Sequence, residues 1–92
     1  MNFISSSDLN IQAAVLELQR KTHAQIQIDT ARTWAARAIA SYMLYMKYGH
    51  LGRLLDAEDY RHEAFEHASE SLETLTTITN LIDQVRQTIV PR

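Results

Sequence analysis

The residues best suited to chemistry in this 92-residue chain crowd into one stretch, Glu58 to Glu70, which holds Glu58, Asp59, His62, Glu63, Glu66, His67 and Glu70. Imidazole and carboxylate side chains ligate metal ions and carry protons. His62 and Glu66 are four residues apart, as are Glu63 and His67, so on a helix each pair shares a face. The chain has no cysteine, which rules out disulfides and thiolate zinc sites. Any metal would have to be held by these histidines and carboxylates.

The His-x-x-x-Glu spacing at His62 and Glu66 is similar to hemerythrin-like and ferritin-like helices. That resemblance implies a metal site built from His62, Glu63, Glu66 and His67. Such sites draw ligands from several helices, and the first half of the chain offers only Glu17, His23 and Asp29. Arg61 and His67, over residues 61–67, are similar to the Arg-x(4–6)-His signature of HEPN-type nucleases, which would imply RNA cleavage. At 3.6 residues per turn those two side chains stand about 120° apart, only loosely one face. The preferred reading is a solvated acidic face that pairs with the basic first arm of the chain. Metal binding through the four named residues is the alternative. No Ser/His/Asp set, phosphate-cradling glycine loop or dinucleotide fingerprint is present, so catalysis and a cofactor are not expected.

The elements that would position these groups are written in the placement of helix breakers. Residues 8–48 and 53–90 contain neither glycine nor proline; Gly49 and Gly52 lie between the runs and Pro91 follows the second. Glycine and proline disfavour a helix interior by about 1 and 3 kcal/mol relative to alanine. The pattern predicts one all-α domain over residues 1–92. It has a helix over about 8–48, a turn over 49–56 and a helix over about 57–89. Ser5, Ser6, Ser7 and Asp8 are candidate caps for the first helix, and Asp56 for the second. Leu55 and Tyr60 could form a staple around that cap. The polar segment 19–29 allows a turn, but its Gln, Arg, Lys and Ala residues favour a continuous helix. Four threonines over 74–79 lower local helix propensity and allow a kink there.

Ala31, Ala35 and Ala38 would face Ala57, Ala64 and Ala68 across the hairpin and let the two axes approach closely. Larger residues fall far from the turn: Leu9, Ile11, Val15, Leu16 and Leu18 on one arm, and Leu75, Ile78, Ile82, Val85 and Ile89 on the other. The second set repeats at 3-4-3-4, a coiled-coil seam. Two helices cannot cover both sets, so the expectation is a homodimer, two hairpins forming a four-helix bundle with these ten residues at the interface. The compact alternative is a three- or four-helix monomer with turns near 20–28 and 74–77.

Charge narrows the partners. Net charge is −2, with five basic and three acidic residues in 1–48 but four basic and eight acidic in 49–92. Neither half has the dense basic stripe of a nucleic-acid binder. No leader pattern or bilayer-spanning stretch is present, so a cytoplasmic protein is expected. The turn end combines Tyr45, Tyr48, His50, Leu51, Arg53, Leu54 and Tyr60, a composition suited to an unidentified protein partner. The expected function is therefore a small interaction or assembly protein that presents a helical surface.

Overall fold

A computed structural model describes residues 6–89, with side chains from Asp8 onward. Ser5 and Pro91, read above as a cap and a stop, lie outside the described residues. The described chain is all-helical: α1 (Ser6–Tyr48), α2 (Leu51–His67) and α3 (Leu72–Ile89). Among the described residues no helix is long and apolar enough to cross a membrane.

α1 is a single helix of 43 residues. At 1.5 Å per residue it spans about 64 Å, most of the molecule's 70 Å long axis. The polar segment stays helical, and its side chains bond along the helix. Thr22 Oγ1 donates to the Leu18 carbonyl (2.8 Å), and the Gln25 amide donates to Asp29 Oδ1 (3.0 Å). Gly49 stops the helix. It sits at φ +72°, and its N–H donates to the Tyr45 carbonyl at 2.7 Å. That left-handed conformation is the one glycine adopts without a Cβ clash.

The second helix begins earlier than its acidic run suggests. It starts at Leu51, after His50 in an extended conformation, rather than at Asp56. Residues 51–56 are therefore helix, not turn. The Asp56 cap and its staple do not form, and Leu55 lies exposed within the helix. An early start sets Leu54 against the core.

The larger correction concerns the second arm. It is two helices, not one over 57–89, and the break lies at 68–71 rather than 74–77. Ala68 closes α2 by donating its N–H to the Ala64 carbonyl at 3.1 Å. Ser71 then opens α3, its Oγ accepting from the Thr74 N–H (3.3 Å) and donating to Thr74 Oγ1 (2.8 Å). A serine oxygen on the N3 amide is N-cap geometry. The reversal brings α3 back beside both earlier helices. Arg86 of α3 meets Glu58 of α2 at 3.1 Å, and the Thr88 hydroxyl donates to Met46 Sδ of α1 at 3.7 Å. At the other end His67 reaches Gln27. α2 thus runs antiparallel to α1, and α3 returns parallel to α1.

The core of this three-helix body is Ala31, Ala35, Ala38 and Tyr42 of α1, Ala57, Ala64 and Ala68 around α2, and Ile78 and Ile82 of α3. The six alanines meet across α1 and α2, so those axes pack closely. Tyr42 and Ile82 are the largest side chains sealed completely from solvent.

Candidate functional site

The histidine–glutamate stretch does not converge. His62 Nε2 and Glu66 Oε1 pair at 3.0 Å on an exposed face of α2. His67 instead turns toward α1, where its Nδ1 donates to Gln27 Oε1 (2.7 Å) while Nε2 lies 3.8 Å from Glu63. Among the described residues no group of three His, Cys, Asp or Glu side chains is placed to hold a metal ion. Arg61 and His67 are likewise engaged with different neighbours. The Arg61 guanidinium lies 4.6 Å from the Phe65 ring centroid and 3.9 Å from Glu58.

A polar cluster that the spacing did not reveal forms where α3 folds back. Glu58 takes Arg86 at 3.1 Å and Arg61 at 3.9 Å, beside the buried Tyr42 hydroxyl. Among the described residues that hydroxyl has no hydrogen-bond partner of good geometry. Burial, and secondly the nearby Glu58 charge, push its pKa up to about 12. A neutral phenol held this way keeps its proton across the physiological range. The Glu58–Arg86 pair ties α3 to α2, while the Arg61–Glu58 pair lies within α2. No local signal marks this cluster, because Glu58 and Arg86 are 28 residues apart.

The expected turn-end surface divides in two. Tyr48, His50, Leu51 and Arg53 are exposed. The Tyr48 and His50 rings stack at 6.5 Å, with Lys47 5.2 Å from the Tyr48 centroid. Tyr45 is half-buried, and Leu54 packs on the core. Tyr60 leans on Trp34 with ring centroids 5.5 Å apart, and Arg37 covers the same indole at 4.9 Å. Tyr60 therefore belongs to the α1–α2 contact and not to the tip. Met43 and Met46 add to the exposed apolar surface beside the turn.

The ten residues expected at a dimer interface also separate. Ile78 and Ile82 are buried within the chain, and Leu75, Val85 and Ile89 pack around them. These five build the body's own core, because the break at 68–71 turns their seam inward. The other five stay outside. Every residue from Asp8 to Ile26 is exposed, and Leu9, Ile11, Val15, Leu16 and Leu18 keep between 48% and 65% of their surface open. This is a helical arm of about 28 Å, against which no second described helix lies. Two apolar stripes run along it: Leu9, Ala13 and Leu16 on one side, Ile11, Val15 and Leu18 on the other.

Where the arm joins the body, a groove of about 500 Å³ opens between α1 and α3. Ile28, Arg32, Ala36 and Ile39 line it from α1, and Glu73, Thr77 and Leu81 from α3. Leu81, read as neither core nor interface, is half exposed there. Only the return of α3 creates this groove. Comparison of the chain with protein-family models, with curated proteins and with solved structures returns no match in any of the three.

Proposed function

We propose that this protein is a helical assembly protein that associates as a homodimer through the arm of α1 and does no catalysis. One observation carries the reading: nineteen consecutive helical residues, 8–26, stand exposed with six large aliphatic side chains among them. Each such side chain gains roughly 1.5–3 kcal/mol on full burial, and exposed apolar surface of this extent marks a contact surface. Most helical stability in proteins comes from tertiary packing, so covering the arm would also stabilise it. The five arm residues expected at the interface are exposed, whereas the five on α3 lie in or against the chain's own core.

Sedimentation equilibrium at micromolar concentration tests the reading. A dimer for the natural chain and a monomer for Leu18→Asp are expected. A monomer at every accessible concentration would overturn it. The exposed tip at Tyr48, His50 and Leu51 supports a second contact surface for an unlike protein, since aromatic anchors favour such contacts.

A further inference from the structure

One face of α1 borders the α1–α3 groove. Residues spaced alternately by four and three form one continuous seam along α1, the repeat that two supercoiled helices share. It falls into three blocks. The arm contributes Ile11, Val15 and Leu18. Thr22, Gln25, Asp29 and Arg32 follow as a polar block, and then Ala36, Ile39, Met43 and Met46. All of these are exposed except Ile39, which is half-buried at the groove wall. An apolar–polar–apolar seam is complementary to its own reverse.

We propose that two copies pair α1 against α1 antiparallel, about a two-fold axis level with Gln27, so that each arm enters the other copy's α1–α3 groove. This rests on the assembly reading above and specifies its geometry. In this register Ile11 meets the partner's Met43, Val15 the partner's Ile39, and Leu18 the partner's Ala36. Thr22 faces the partner's Arg32, and Gln25 the partner's Asp29. Apolar layers meet apolar layers at both ends, and the polar block meets itself in the middle. Val15 also approaches the partner's Leu81, which lines the groove with Ile39. The arrangement is isologous, so one operation covers the Ile11–Val15–Leu18 stripe of both arms.

Charge selects the direction. Antiparallel pairing sets Asp29 opposite a neutral amide and Arg32 opposite a hydroxyl, and each already has the other as an i, i+3 partner within the helix at 4.0 Å. Parallel pairing would stack Asp29 on Asp29 and Arg32 on Arg32, which is destabilising. The positions flanking the seam carry few charges: Gln12, Ala14, Gln19, Ile26, Ile28 and Thr33 are uncharged, and Lys21 is the exception near the axis. Leu9 and Leu16 lie on the other face and stay outside this pairing.

The absence of cysteine makes the register directly readable. The double variant Val15→Cys with Ile39→Cys should oxidise to a disulfide-linked dimer, while either single variant should not. A spin label at Asn10→Cys, outside seam and groove, should report two labels about 50 Å apart, from 34 residues at 1.5 Å each. Pairing of the arms alone would put them at about 20 Å, and parallel pairing closer still. Either short distance, in a chain that sediments as a dimer, overturns the register and leaves the assembly reading standing. A monomer with no label–label interaction overturns both.

Discussion

One helix is used in two opposite ways along its length. From Ala31 to Tyr42, α1 presents alanines and one tyrosine to α2 and α3, and those residues lie buried. From Asp8 to Ile26 it presents leucine, isoleucine and valine to solvent. The smaller side chains are the buried ones. Burial here follows from which neighbours are within reach, not from which residues are most hydrophobic. Alanine lets α2 come close enough to fill the remaining space. The arm's larger residues have no described helix beside them, because α2 turns at Ala68 before it reaches them.

The strongest way to break this contrast is to put the same charge in each region. Ile82→Asp places a carboxylate in the sealed core, which costs several kcal/mol, a large share of a small domain's total stability. Collapse of far-UV helicity and of cooperative melting is expected. Leu18→Asp should leave the body's melting within a few degrees of the natural monomer and act on association alone, raising the dimer dissociation constant by at least about 100-fold. Equal melting losses in the two variants would show that arm and body do not fold as separate regions.

Tyr42 sharpens the comparison from inside the body. Its pKa lies at about 12 in the folded chain against 10.0 for the ordinary phenol. A raised folded pKa means that the folded state holds the proton where the unfolded state releases it. Stability is therefore fully present below pH 10 and falls as pH rises from 10 to 12. Thermal melts across that range should show the loss in the natural chain and a smaller loss in Tyr42→Phe. Near neutral pH Tyr42→Phe should be neutral or slightly stabilising, because it removes a buried hydroxyl that makes no good hydrogen bond.

Ser71→Ala is the mildest test. Losing the cap on Thr74 should cost about 1 kcal/mol and lower the body's melting temperature by several degrees. Ser71 also lines the groove, so any change in association should be small beside that of Leu18→Asp. A shift in the monomer–dimer equilibrium with Ser71→Ala would connect the two regions through the groove.

Several features could be read from local signals. The two breaker-free runs marked the all-helical class, Gly49 marked the end of α1, and the facing alanines marked the body's core. The reversal at 68–71 carried a signal too, the serine at 71 followed by threonine three residues on. The unbroken apolar spacing on either side masked it, since a continuous helix and a reversed one share that spacing. Glu58, Arg61, Arg86 and Tyr42 could not have been grouped from the sequence. Their proximity depends on α3 returning beside α2.

By itself, then, the sequence determined what acts within a few residues along the chain: helix propensity, the left-handed stop at Gly49, and the apolar stripes of each helix. These follow from backbone sterics and from the 3.6-residue turn. Tertiary structure alone decided which stripe became core and which stayed open. Leu75, Ile78 and Ile82 were as fit for a dimer seam as Ile11, Val15 and Leu18. One four-residue reversal placed the first set against α1 and α2 and left the second without a described helix beside it. Hydrophobic burial is non-directional and rewards whichever apolar surfaces the chain's path brings within contact.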